Sequence, residues 1–183
     1  MNLLWPEIPR PQLVAMLRIA AIGAGVAAVD GALHDQVSYS ISPEYFTKLK
    51  FGQFAWADLG WPRRLFVAEV GALATWWVGL IAGWVLGRAG FADAAKATLR
   101  GDVLRAFAIV LGVAVASGAA GVALGTLASR GDLSGWRAWR ENLWLVDVPS
   151  FVTVAYLHWA SYLGGLLGLV VAVIDARRRR PAA

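Results

Sequence analysis

Residues 103–127 read VLRAFAIVLGVAVASGAAGVALGTL, a run whose single charge, Arg105, lies near its start. A helix that crosses a ~30 Å hydrocarbon layer needs roughly 20 mostly apolar residues, and this run supplies them. Three other stretches meet the same test, at 13–33, 65–86 and 151–174, and no segment between them is long enough for a fifth. The reading is therefore one all-α integral membrane domain over 1–183, a bundle of four transmembrane helices.

Composition agrees. Of 183 residues, 58% are hydrophobic and 16% charged, with ten Trp and a mean hydropathy of +0.58. A water-soluble domain could not hide that much apolar surface. The absence of Cys excludes disulfides, thiolate metal sites, iron–sulfur clusters and cysteine nucleophiles. A formal charge of +5 would point to nucleic acid in a soluble protein, but here the basic residues cluster beside hydrophobic spans. No nucleic-acid partner is expected, and orientation is the simpler explanation.

Arg177, Arg178, Arg179 and Arg180 follow the last span, and Arg88, Lys96, Arg100 and Arg105 surround the second connection. Together with Arg10 and Arg18 they mark one face as cytoplasmic, so both termini are expected there. Lys48, Lys50, Arg63 and Arg64 in the first connection, and Arg130, Arg137 and Arg140 in the third, weigh the other way. The first span also has a signal-like position, but its apolar stretch exceeds the usual ~7–15 residues, so a retained helix is expected.

Helices in lipid associate where small residues let backbones approach. Ser117, Gly121 and Gly125 recur at four-residue spacing in the third span, as do Ser161 with Gly165 and Gly164 with Gly168 in the fourth. These rows fit packing within the chain or against another protein. Trp5, Trp56, Trp61, Trp136, Trp139, Trp144 and Trp159 fall near span ends or in connections, as interfacial anchors do. Trp76, Trp77 and Trp84 lie within the second span, facing lipid or a neighbour.

The first connection, HDQVSYSISPEYFTKLKFGQF at 34–54, is the least generic segment. Val37, Tyr39 and Ile41 alternate with serines, which predicts a short extended piece. Ser42, Pro43 and Glu44 then supply a capping hydroxyl, a first-turn proline and a first-turn acid. A helix over 43–54 follows, lying on the membrane surface with Tyr45, Phe46 and Leu49 on one side and Lys48 facing headgroups. In the third connection Trp136, Trp139 and Leu143 repeat at helical spacing, so a second interfacial helix is expected there. The two pieces would form a lid or a docking surface on the outer face.

The 34–54 segment resembles a motif of a family of small, uncharacterised bacterial integral membrane proteins, with LHWASYLGG at 157–165 as a second block. That resemblance implies a bacterial inner membrane and carries no activity or site residue.

Ionisable residues near the expected outer leaflet are the candidates for chemistry. Asp30 and His34 are four apart at the end of the first span, Glu69 lies one turn inside the second, and His158 enters with the fourth. One reading is a haem or metal ion held by His34 and His158, the two histidines of the chain, with Asp30 or Glu69 as ligands or supporting acceptors. Another is a proton- or ion-coupled transporter component using Asp30, Glu69 and His158, against which stands the absence of an inverted repeat or Pro-broken span. His158 and Ser161 share a helix face, but a nucleophile and base must point at each other beside an oxyanion site. No residue is assigned a catalytic role. The leading expectation is a non-enzymatic small subunit or accessory protein. It would pack against a larger inner-membrane complex, or itself, through Tyr45, Phe46, Trp136, Trp139, Gly121, Gly125, Gly164 and Gly168.

Overall fold

A computed structural model describes residues 8–91 and 99–179; Trp5, Lys96, Arg180 and the side chain of Arg100 lie outside what it describes. Every regular element among the described residues is helical. The order is α1 (Arg10–Ile41), a π-helical turn (Tyr45–Lys50) running into α2 (Phe51–Gln53), α3 (Arg63–Leu86), α4 (Leu99–Ala128), α5 (Arg137–Leu143) and α6 (Val148–Arg178). α1, α3, α4 and α6 are long and apolar enough to span a membrane. Prolines set several starts: Pro9 and Pro62 precede α1 and α3, and Pro149 sits in the first turn of α6. Asp147 caps α6 by accepting the Ser150 N–H at 3.1 Å.

The four spans form two antiparallel hairpins, α1 with α3 and α4 with α6, that touch each other far less than their members do. Each hairpin closes on small residues. Gly23 meets Gly79, Gly31 meets Gly71 and Thr75, and Gly83 meets the backbone of Ile19 and Ala20. A methyl group on Gly23 or Gly79 would run into the other's carbonyl. Thr75 fills the one gap in this row and donates its hydroxyl to the Ala27 carbonyl across the seam at 2.6 Å. On the other hairpin Gly121 and Gly125 face Tyr156 and Thr153, while Gly164 and Gly168 face Ser117 and Val110. Gly165 meets nothing and lies off the seam. The glycine row that runs along α3 from Gly71 to Gly87 just past its end is longer than any row singled out from sequence.

Two apolar clusters join the hairpins. At the end bearing the termini, Met16, Ile19, Leu86, Phe107 and Ala172 meet from all four spans. Arg105 pairs with Asp175 there at 3.0 Å. At the opposite end Tyr45, Phe46, Val67, Phe151 and Val152 form the second cluster.

The first connection departs from expectation. Residues 37–41 are helical, the last turns of α1, rather than extended. Alternation over five positions fits either period, and the buried row Gly31, Asp35, Ser38 and Ser42 decides for the helix. The Ser42 hydroxyl caps nothing and is buried without a partner. The helix expected over 43–54 is present over 43–53, with π hydrogen bonding across Tyr45–Lys50, and a 3₁₀ turn follows at Ala55–Ala57. The wider π turn directs both Tyr45 and Phe46 inward, where each is nearly sealed from solvent. Lys48 is exposed. Glu44 reaches across to the third connection, accepting the Val146 and Asp147 N–H groups at 3.0 and 2.7 Å. The third connection holds α5, with Trp136 stacked on Trp159 and Trp139 tilted over Phe151.

Candidate metal centre

Because α1 runs about two turns past residue 33, it carries His34, Asp35 and Ser38 into the bundle beside α6, which presents His158, Ser161 and Tyr162. His158 lies about 15 Å along α6 from Val148, and His34 about 10 Å back from Ile41. His34, Asp35 and His158 each offer one ligand atom, all within 4.8 Å of one another.

The imidazoles are held in complementary ways. His34 places Nε2 3.2 Å from the Ser161 hydroxyl and Nδ1 3.3 Å from Asp35 Oδ1. His158 places Nδ1 3.2 Å from the Tyr162 hydroxyl and Nε2 3.8 Å from the same Asp35 oxygen. A hydroxyl thus lies on one nitrogen of each ring and the other nitrogen faces Asp35, with the Ser38 hydroxyl, which donates to the His34 carbonyl, also 3.4 Å from His34 Nδ1. If the hydroxyl-facing nitrogens carry the protons, both remaining lone pairs point at one place, the arrangement that orients metal-bound histidines.

Two atoms lack what burial demands. Asp35 Oδ2 and His158 Nε2 are buried with no hydrogen-bond partner. An unpaired buried polar group costs about 1–3 kcal/mol, and more for a carboxylate. A divalent ion would give His158 Nε2 a partner, and Asp35 Oδ2 one as well where the carboxylate binds through both oxygens. Bonds of ~2.0–2.2 Å at tetrahedral angles put neighbouring donors about 3.3 Å apart, against the observed 3.3 and 3.8 Å from Asp35 Oδ1. Closing the shell needs the two imidazole nitrogens, which lie within 4.8 Å of each other, to draw together around Asp35.

The surroundings are aromatic on the aqueous side. Tyr45 stacks on His158 with centroids 4.9 Å apart, and burial pushes its phenol above the usual range, helped by Tyr162 and Asp35. Lys50, the last residue of the π turn, is half-buried. Burial lowers its pKa, while the Asp35 charge pulls the other way.

Of the residues named from sequence, His34 and His158 converge and Asp30 and Glu69 do not join them. Asp30 is half-buried one turn before His34, and Glu69 keeps one buried, unpartnered oxygen on α3. Asp35 takes the place assigned to them. Asp35 lies beyond the span end at 33 that hydropathy marks; the signal for it in the sequence is the helical row through Ser38. The two imidazole rings pack edge to face with centroids 4.7 Å apart, leaving no room for a porphyrin between them.

Ser161, His34 and Asp35 also form a hydroxyl–imidazole–carboxylate chain. Acyl transfer needs oxyanion donors as well. Ser161 lies mid-helix, where backbone N–H groups serve the helix, and its hydroxyl packs against Gly118. The chain therefore orients His34 and gives no nucleophile. Comparison with known protein families, curated proteins and solved structures finds no match.

Proposed function

We propose that this membrane protein is a metalloprotein, binding one divalent first-row transition ion through His34, Asp35 and His158. The observation that carries the reading is the paired orientation of the imidazoles toward a carboxylate, with Asp35 Oδ2 and His158 Nε2 buried and unpartnered. Two imidazoles and a carboxylate are a donor set that suits zinc or non-haem iron and leaves coordination open for a further ligand. Arg88, Arg177, Arg178 and Arg179 at the termini-bearing end support a cytoplasmic assignment for that end. The centre then lies in the outer half of a bacterial inner membrane.

The test is metal uptake by chelator-washed protein in nanodiscs. Wild type should take up Co²⁺ with visible d–d bands and retain Zn²⁺ through gel filtration. His158→Ala and Asp35→Ala should do neither, while Asp30→Ala and Glu69→Ala behave as wild type. Wild type that remains colourless and metal-free rejects the reading.

A second reading is compatible with the first: the chain is a subunit of a larger inner-membrane complex or of a homo-oligomer. It is supported by Trp76 and Trp77, which are 45% and 51% exposed in mid-span, where indole N–H groups want partners. Purification from native membranes as a lone monomer in mild detergent would count against it.

A further inference from the structure

The geometry points to a ligand that reaches this centre sideways from the bilayer: an amphiphile with an acyl-type tail whose anionic oxygen headgroup, carboxylate or phosphate, takes the open coordination position. The inference rests on the metal-centre reading and names the ligand of that site.

The aqueous approach is closed. Tyr45 lies flat on His158, and Phe46, Phe151, Val152 and Val154 behind it are 0–1% exposed. Glu44 fastens this plug to the start of α6 through the Val146 and Asp147 N–H groups. Exposure at the centre belongs to two groups on spanning helices. Tyr162 is 53% exposed although its hydroxyl reaches His158, and the His34 side chain is 22% exposed. Their neighbours Leu33 and Leu163, 65% and 58% exposed, are apolar, as a lipid-facing wall requires. At that depth the medium outside is hydrocarbon, so what arrives there is dissolved in lipid.

Charge selects the headgroup. A divalent ion with one carboxylate ligand, and the half-buried Lys50 whose charge acts on Asp35, leaves net positive charge in a low-dielectric site. Uncompensated buried charge is costly. An anionic oxygen offsets it by binding the metal, and a long tail remains in the bilayer between the exposed apolar side chains. A neutral alcohol or quinone carbonyl would leave the charge standing.

The experiment uses Co²⁺-loaded protein in phosphatidylcholine nanodiscs and reads the d–d bands. Oleate added to the bilayer should shift them, and acetate in the buffer should not. Dodecyl phosphate against inorganic phosphate distinguishes a phosphate headgroup from a carboxylate in the same way. Lys50→Met should keep the cobalt bands but weaken the response to the amphiphile about ten- to a hundredfold, with Lys50→Arg restoring it. Cobalt bands equally sensitive to acetate, or insensitive to every amphiphile, overturn the lipid-ligand inference while leaving the metal centre standing. Absence of cobalt bands in wild type removes the centre, and this inference with it.

Discussion

The contact within each hairpin and the junction between hairpins are built from opposite materials. Within α1–α3 and α4–α6 the backbones touch, because Gly23 against Gly79 and Gly164 against Ser117 leave room for nothing else. Between the hairpins, the helices stand apart and side chains fill the space: Met16, Leu86 and Phe107 at the termini-bearing end, and His34, Asp35, His158 and Tyr45 toward the other. Lipid offers helices no hydrophobic reason to associate, so close backbone packing does the holding. The seams admit only small polar groups such as Thr75 and Ser117, and the junction carries the larger ionisable ones. Stability should be lost at the seams, and ligand binding at the junction.

The largest effect should come from breaking a seam. In Gly79→Leu a whole side chain must enter the space of the Gly23 carbonyl. Overpacking of this kind costs about 3 kcal/mol or more, on the order of 10 °C in thermal midpoint. The matched control is Gly165→Leu, whose position meets nothing within 4 Å and should melt as wild type. Equal midpoints for the two variants would dissolve the distinction between seam and surface.

Next are the hydroxyls that hold the imidazoles. Ser161→Ala and Tyr162→Phe leave His34 and His158 in place but free to turn. Loss of such supporting hydrogen bonds costs about 10–100-fold in metal affinity. Competition with a chromophoric chelator measures this, and the unfolding free energy of the metal-free protein should stay within about 1 kcal/mol of wild type. An affinity unchanged in both variants would detach the hydroxyls from the centre.

The same division explains what the sequence made legible. Four spans follow from run length and hydropathy, which need no knowledge of neighbours. The pairing of spans does not, and the site depends on it. His34 and His158 stood out as the chain's two histidines, but choosing among Asp30, Asp35 and Glu69 requires knowing which side of α1 meets α6. Asp35 was further obscured by its polar surroundings: His34, Gln36 and Ser38 lower local hydropathy and place the helix end too early. Tyr45 and Phe46 read as one side of an amphipathic helix, whereas the π turn turns both inward as a plug.

A smaller effect is expected where the plug is tied down. Glu44→Gln keeps the side-chain shape and weakens the charge-assisted bonds to Val146 and Asp147. At an exposed position this should amount to about 1 kcal/mol. Faster amide hydrogen exchange at those two residues, with Met16 and Phe107 at the far end unaffected, would place the change at the junction.

The smallest effect concerns Lys50 and is a slope rather than a loss. Burial lowers its folded-state pKa below the ordinary value of 10.5, against the pull of Asp35. Between the folded pKa and 10.5 the unfolded chain still holds a proton that the folded chain has released, so stability rises with pH across that window. Below the folded pKa the ammonium is charged in both states and its burial penalty is carried in full. Wild type should therefore gain in thermal midpoint as pH rises toward 10.5, and Lys50→Met should flatten the gain while being no less stable at neutral pH. Metal in the adjacent centre repels the ammonium and deepens the lowering, so the slope should begin at lower pH in the loaded protein than in the stripped one. A slope indifferent to metal would place Lys50 too far from the centre for its charge to act there.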